Sequence, residues 1–200
     1  NDAVTEANET IIVTLAGPTN ATLGAQTTHT YTITDDDVAG VTVTPTSGLV
    51  TTEAGGTATF TVVLNTAPTA TVTISILSAD ATEGTALPAT LTFTSVNWAT
   101  AQTVTVTGVN DALVDGNIVY TITTGNAVST DGTYSGFVVA DVTATNNDND
   151  VAGVTVSAIS GPTTEAGGTA TFTVVLTSEP TASVAISILS ADLTEGTALP

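Results

Sequence analysis

Carboxylates are the side chains of this sequence that could do chemistry. Its 200 residues include nineteen Asp and Glu, one His and no Lys, Arg or Cys, which gives a formal net charge of −19. Carboxylates crowded together without cations repel one another, and this repulsion raises their pKa values. A hard cation such as Ca²⁺ relieves it, because Ca²⁺ takes about six to eight oxygen ligands. Acids that recur in a pattern therefore indicate a calcium site, although Asp is also common in ordinary turns.

The composition argues against several other functions. Without Lys or Arg the chain cannot neutralise phosphates, so we expect no nucleic-acid binding. The absence of Cys removes disulfides, thiolate zinc sites and thiol nucleophiles. The one His, His29, has no nucleophile or orienting partner in the pattern, so we interpret it as a strand surface residue and expect no enzyme. No apolar run approaches the roughly 20 residues of a membrane helix, so we expect no membrane insertion by this segment.

The sequence contains an internal repeat. Residues 38–48 (VAGVTVTPTSG) return as residues 151–161 (VAGVTVSAISG), and residues 52–64 (TEAGGTATFTVVL) recur unchanged as residues 164–176. Self-similarity at a fixed spacing is typical of a tandem array. We therefore expect the array to continue in both directions. The predicted domains are the C-terminal part of one repeat (1–37), a complete repeat (38–150) and the N-terminal part of the next (151–200).

Apolar residues alternate with Thr throughout the complete repeat, with the period of two that is typical of half-buried strands. The alternation recurs seven times, with turn signals such as Gly55-Gly56 between the runs. Seven short strands in about 110 residues are typical of an immunoglobulin-like domain. The sequence therefore predicts an all-β fold of tandem, immunoglobulin-like, seven-stranded β-sandwiches. The predicted strands A to G lie at 41–43, 58–64, 72–76, 91–93, 104–106, 118–122 and 138–142.

The acids concentrate at one end of this predicted sandwich. If the strands alternate in direction, strands A, C, E and G end at the same pole, and the connections that leave this pole carry seven acids. The opposite pole carries only Asp131. We predict Ca²⁺ rather than Zn²⁺ at the acidic pole, because neither Cys nor His is available there. Ordinary turn chemistry remains the alternative. The predicted ligands are Glu53, Asp80, Glu83, Asp111, Asp115, Asp148 and Asp150.

These segments resemble the Calx-beta repeat family. The resemblance is carried by TTEAGGTATFTVVL, SADATEG, VTVTGVNDALVDGN and TNNDNDVAGV, and it covers residues 38–150 and both partial copies. It implies an immunoglobulin-like sandwich that binds Ca²⁺ through acids of the distal loops and of the C-terminal acidic run. It also implies tandem copies in large bacterial surface or secreted proteins. By matched motif, the implied ligands are Glu53, Asp80, Asp111, Asp115, Asp148 and Asp150.

The partial copies carry corresponding acids, but the copies are not equivalent. The middle copy has Ile118 or a neighbour at the position of Glu9, and Asn residues dilute its closing run. Fewer formal charges predict fewer ions or weaker binding in the middle copy. The candidate ligands of the first copy are Asp2, Glu6, Glu9, Asp35, Asp36 and Asp37, and those of the third are Glu165, Asp192 and Glu195.

These observations favour a non-catalytic structural module of a repetitive extracellular or cell-surface protein, such as a stalk or fibre of sandwiches that calcium makes rigid. Its first partners are then the neighbouring repeats of the same chain. Two alternatives remain open. The segment is an adhesin that binds a surface ligand or associates with itself into fibres, or it is a calcium-sensing regulatory domain.

Overall fold

The computed structural model describes residues 2–199, so the outer ends of the first and last predicted repeats, Asn1 and Pro200, lie outside the described residues. The described residues form the strands β1–β13 and no helix. No helix long and apolar enough to cross a membrane therefore occurs between residues 2 and 199. The chain divides into two compact units. The first contains the residues up to Asn110 and Ile118–Asn147, and the second contains Asp111–Asn117 and the residues from Asp148 onwards.

The first unit contains a β-sandwich of two sheets. One sheet has five strands in the order β4-β11-β10-β6-β8, and the other has four in the order β3-β5-β9-β7. Neighbouring strands pair antiparallel, except that β4 runs parallel to β11. The strands are β3 (Val41–Thr44), β4 (Leu49–Thr52), β5 (Thr57–Leu64), β6 (Val72–Ser78), β7 (Gly84–Leu87), β8 (Thr90–Phe93), β9 (Gln102–Gly108), β10 (Ile118–Thr124) and β11 (Val142–Asn147).

The alternation of Thr with apolar residues places one face of each strand in the core. In β5, Phe60, Val62 and Leu64 are buried, whereas the intervening Thr61 and Val63 are half-exposed. Burial of apolar surface contributes about 25 cal/mol per Å², so these inward rows are the main stabilising element of the sandwich. The predicted all-β, immunoglobulin-like sandwich is therefore confirmed.

The strand bounds differ from the prediction in two respects. Residues 38–150, all of them described, form nine strands rather than seven, because β4 follows β3 in the opposite sheet and β7 precedes β8. The last strand is β11, beyond the predicted 138–142. Val138 is 74% exposed and Val139 only 4%, so the apolar residues of this stretch anchor a loop in the core instead of continuing a strand.

Each partial copy forms a two-stranded antiparallel sheet. In the first unit, β1 (Glu9–Thr14) pairs with β2 (Thr28–Ile33). In the second unit, β12 (Val154–Val156) pairs with β13 (Val174–Leu176). His29 lies exposed on β2, in agreement with its interpretation as a strand surface residue.

Candidate metal centres

Five acids of the first copy line one small cleft of about 80 Å³ in the first unit. The pairing of β1 with β2 brings them together, because Glu9 at the start of β1 lies opposite Ile33 at the end of β2. The residues before β1 and those after β2 therefore meet at the same end of this pair of strands. Asp36 is exposed and does not line the cleft. The acids in the cleft are Asp2, Glu6, Glu9, Asp35 and Asp37.

Backbone hydrogen bonds hold the centre of this cluster. Asp35 accepts the N–H of Glu6 at Oδ2 (2.8 Å) and the N–H of Asp37 at Oδ1 (3.1 Å). Its own N–H donates to Oδ1 of Asn8 at 3.0 Å. Both oxygens of Asp35 thus order the backbone around the cleft, and the other carboxylates extend from that ordered backbone.

The carboxylates of this cluster disfavour one another's charge. The carboxylate of Glu9, followed by that of Asp2, raises the pKa of Glu6 above its ordinary value. Burial, followed by the charge of Asp35, raises the pKa of Asp37. The sequence supplies no Lys or Arg to offset this repulsion. A divalent cation between these groups would reverse it.

The second unit repeats the same scaffold with the closing run of the middle copy. The N–H of Asp148 donates to Oδ1 of Asn117 at 3.1 Å. Asp148 in turn accepts the N–H of Gly116 at Oδ2 (2.9 Å) and the N–H of Asp150 at Oδ1 (2.7 Å). The pairs Asp148–Asn117 and Asp35–Asn8 therefore make the same bond in two copies of the repeat.

Carboxylate oxygens converge around this second scaffold. Asp111 accepts the N–H of Leu113 at 2.7 Å, which fixes the turn that presents its side chain. Asp111 also places a carboxylate oxygen within 4.8 Å of one from Asp115, and likewise of one from Asp150. Spacings of this size suit oxygens that share one cation, because Ca²⁺ lies about 2.3–2.6 Å from each ligand.

Oδ2 of Asp150 is the atom of this group whose surroundings point most directly to a cation. This oxygen is buried and accepts no hydrogen bond from any of residues 2–199. A buried carboxylate oxygen without a donor is unfavourable, and such groups are normally hydrogen-bonded or coordinate a metal. The side chains grouped with Asp150 offer carboxylate oxygens, which suit Ca²⁺ and not a soft metal. The residues present therefore fit a calcium ion.

Two further predicted ligands are buried at one end of the sandwich in the first unit. Glu53 is 4% exposed and Glu83 is 7% exposed. The N–H of Glu53 donates to the carbonyl of Asn147 at 3.1 Å, just after β4, where the φ of +81° at Gly55 turns the chain towards β5. Glu83 precedes β7, and its carbonyl accepts the N–H of Val109 at 3.0 Å. Buried acids of this kind are rare unless they have a partner.

Asn146 has a structural role at this end of the sandwich, beyond the dilution of the acidic run that the sequence indicates. It is 1% exposed, and its Nδ2 donates to the carbonyl of Val109 at 3.0 Å and to Oε2 of Glu83 at 3.4 Å. Its Oδ1 accepts from Oγ1 of Thr51 at 3.1 Å. The signal was present in the sequence, because Val142, Ala144 and Asn146 alternate with Thr and so face inward together.

Asp80 and Asp192 have the same turn role in successive copies. Oδ1 of Asp80 accepts both the hydroxyl and the N–H of Thr82, and Oδ1 of Asp192 accepts the same two groups of Thr194. These side-chain and backbone hydrogen bonds lower the pKa of both acids. For this pair the structure favours turn chemistry, and it does not gather either residue into the carboxylate groups described above.

The remaining acids of the third copy lie apart from those groups. Glu165 and Glu195 line a cleft of about 510 Å³ within the second unit, and both side chains are exposed. The cleft also contains the double glycine at Gly167 and Gly168. Two exposed carboxylates in an open cleft do not by themselves make a metal site.

Comparisons with known proteins find likeness at the level of solved structures. The sequence matches no family model, and no curated protein matches it. The apo form of the Calx CBD1 domain is 16% identical with a TM-score of 0.43, over 57% of this chain and 100% of that one. The periplasmic chaperone SfaE is 14% identical with a TM-score of 0.43, over 55% of this chain and 58% of that one. The E. coli chaperone DraB is 12% identical with a TM-score of 0.37, over 58% of this chain and 59% of that one. The chain thus spans less than two thirds of either chaperone, and a functional assignment rests on its own carboxylates.

Proposed function

We propose that this chain is a non-catalytic structural module of a repetitive extracellular protein, whose β-sandwich repeats bind Ca²⁺ at their acidic ends and are made rigid by it. The observation that carries the proposal is the buried Oδ2 of Asp150, which has no hydrogen-bond donor among the described residues. The chain has no Lys or Arg with which to pair it. A cation from solution would supply the compensating charge.

Two separate groups of residues would each hold calcium, one in the first copy and one in the middle copy. Calcium would supply the positive charge that the sequence lacks, and the protein's part is to present oxygens from a pre-ordered backbone. In each copy one Asp of the closing run, Asp35 or Asp148, accepts two backbone N–H groups and orients its neighbours. The candidate ligands are Asp2, Glu6, Glu9, Asp35 and Asp37 in the first copy and Asp111, Asp115, Asp148 and Asp150 in the middle copy.

Binding would also restrain the chain where it passes from one repeat to the next. Asp148 and Asp150 lie directly before Val151, which opens the next copy of the repeat. The hydrogen bond from Gly116 to Asp148 already joins the loop 111–117 to this closing run. An ion shared by Asp111 and Asp150 would strengthen that link and offset the repulsion between their charges. Since small interfaces between domains are mobile by default, such a link is a physical cause of rigidity.

An extracellular location agrees with the composition. The absence of Lys and Arg leaves no site for trypsin-like proteases, and the absence of Cys and Met leaves no sulfur to oxidise. Both properties are useful outside the cell. Fractionation of the producing cells tests this part of the proposal: we expect the protein at the surface or in the medium, and recovery from the cytosol alone would contradict it.

Calorimetric titration of the 200-residue chain with CaCl₂ tests the binding itself. We expect saturable binding that Mg²⁺ does not reproduce, because Mg²⁺ dehydrates reluctantly and needs near-ideal octahedral geometry. Asp150→Asn should weaken binding, whereas Asp141→Asn should not, because Asp141 accepts hydrogen bonds from Thr124 and lies outside both groups of candidate ligands. Absence of saturable heat would contradict the proposal.

A further inference from the structure

Two backbone hydrogen bonds occupy equivalent places in successive copies of the repeat. In the first unit, the N–H of Ala67 donates to the carbonyl of Ala3 at 2.6 Å. In the second unit, the N–H of Glu179 donates to the carbonyl of Ala112 at 2.7 Å. The two acceptors each follow the first Asp of an acidic cluster, and the two donors each follow the repeated TFTVVL strand by three residues. Each bond therefore joins the acidic loop of one copy to the copy that follows it.

The donors share a local feature that keeps their N–H groups available. Ala67 precedes Pro68 and Glu179 precedes Pro180. A residue before proline is confined to extended backbone, so it does not enter a helical turn that would use its N–H. The same X-Pro pair thus presents a backbone donor at the same position in two copies.

A second loop of the complete repeat holds the donor loop in place. Oδ2 of Asp131 accepts the N–H of Thr69 at 2.8 Å. The hydroxyl of Tyr134 donates to the carbonyl of Thr66 at 2.8 Å and accepts its N–H at 3.2 Å. Asp131, Tyr134 and Thr66 are all buried. Hydrogen bonds within the complete repeat therefore hold residues 65–69 on both sides of Ala67, independently of the preceding copy.

A hydroxyl contact extends this bracing to the preceding copy in the first unit. Oγ1 of Thr66 shares one hydrogen bond with Oη of Tyr134 at 2.8 Å and another with Oγ1 of Thr5 at 3.3 Å. The alignment of the copies places Val114 and Ser178 at the positions of Thr5 and Thr66. Since Val has no hydroxyl, the backbone bond is the contact that both junctions can share.

We propose that each repeat docks on the following repeat through its acidic loop, which contains Ala3 in the first copy and Ala112 in the middle copy. Its partner is the loop of the following repeat that contains Ala67-Pro68 or Glu179-Pro180. In the complete repeat, Asp131 positions this partner loop. The inference deepens the proposed function, because the loop that carries Asp2 or Asp111 as candidate ligands is also the loop that contacts the next copy. Asp131, the lone acid of the predicted opposite pole, is then a positioning residue of the junction and not a ligand.

Amide hydrogen exchange of the 200-residue chain, followed by NMR, tests this inference. Ala67 and Glu179 lie outside the named strands, yet we expect their N–H groups to exchange at least about tenfold more slowly than exposed loop amides. Asp131→Ala should speed the exchange of Ala67 by about tenfold and leave Glu179 unchanged, because Glu179 belongs to the next copy. Asp141→Ala is the matched control, since it removes an acid of the same connection that contacts Thr124 instead.

The outcomes separate this inference from the calcium proposal. Exchange of Ala67 and Glu179 at ordinary loop rates would overturn the docking, even if calorimetry shows calcium binding. Protected amides in a chain that binds no calcium would support the docking and contradict the proposed function. Unchanged protection of Ala67 in Asp131→Ala would overturn the positioning role. If the strand amides of Asp131→Ala also lose protection, Asp131→Asn, which keeps the side-chain shape, decides the same question.

Discussion

The N–H of Asp150 donates to Oδ1 of Asp148 at 2.7 Å, and this bond sets the direction of the closing acidic run. The corresponding bond in the first copy joins Asp37 to Asp35 at 3.1 Å. Both copies thus fold the run as an Asp-x-Asp turn, in which the first carboxylate accepts backbone donors. The second carboxylate of the turn in the middle copy has a buried oxygen that accepts none.

Asp150→Asn should have opposite consequences without and with calcium. In EDTA the variant should be as stable as the parent, or more stable by about 1–2 kcal/mol, because a buried oxygen without a donor no longer carries charge. In CaCl₂ the variant should lose the stabilisation that an ion at the middle-copy group gives the parent. Urea unfolding in the two buffers measures both effects.

The control for this experiment is Asp141→Asn, which changes an exposed acid that has hydrogen-bond donors in Thr124. Its response to calcium should match that of the parent. Equal responses of the two variants would show that Asp150 has no special part in binding.

Asn146→Ala should lower the free energy of unfolding by about 2–3 kcal/mol. The change leaves the hydroxyl of Thr51 and the carbonyl of Val109 without the buried partner that Asn146 supplies. Urea unfolding measures the loss. Asn126→Ala, at an exposed position, should stay within about 0.5 kcal/mol of the parent. Similar midpoints for the two variants would contradict the structural role of Asn146.

The stability should depend on pH through Asp131. Burial on its own raises the pKa of Asp131, but the hydrogen bonds from Thr69 and Thr133 outweigh it and hold the pKa below the ordinary value of 3.8. A carboxylate whose pKa is lowered by folding stabilises the protein above 3.8, and this contribution is lost as the pH falls through the folded-state pKa. The stability difference between the parent and Asp131→Asn should therefore narrow as the pH falls below 3.8. Thermal unfolding of both proteins at constant ionic strength measures this stability difference. A stability difference that is the same at pH 7 and at pH 3 would contradict the prediction.

The sheet faces could be predicted from the sequence because strand burial follows a local period. Phe60 and Val62 alternate with Thr, and they lie in the core as this pattern predicts. The same rule failed at Val138 and Val139, where a loop inserts one side chain into the core without forming a strand. Local alternation does not distinguish these cases, because the difference lies in what the segment packs against.

The candidate site was predictable only in part, for a similar reason. Asp80 and Asp150 are both loop acids in the sequence, and only tertiary structure shows that one accepts the donors of Thr82 while the other has a buried oxygen without any. The roles of Asn146 and Asp131 depend on Thr51 and Thr69, which are distant in sequence. The local alternation indicates that Asn146 faces inward, but it does not indicate which distant residues Asn146 or Asp131 contacts.

Thermal unfolding in excess EDTA and in millimolar CaCl₂ shows whether the folded chain binds calcium. A ligand that binds only the folded state raises stability by mass action, by about 2.7 kcal/mol at a hundredfold excess over Kd. We expect calcium to raise the Tm of the parent by several degrees. Asp111→Asn should remove the part of this rise that the middle-copy group contributes and leave the part that the first-copy group contributes, whereas Asp131→Asn should lower the Tm by the same amount in both buffers. Identical melting curves of the parent in EDTA and in CaCl₂ would contradict the account.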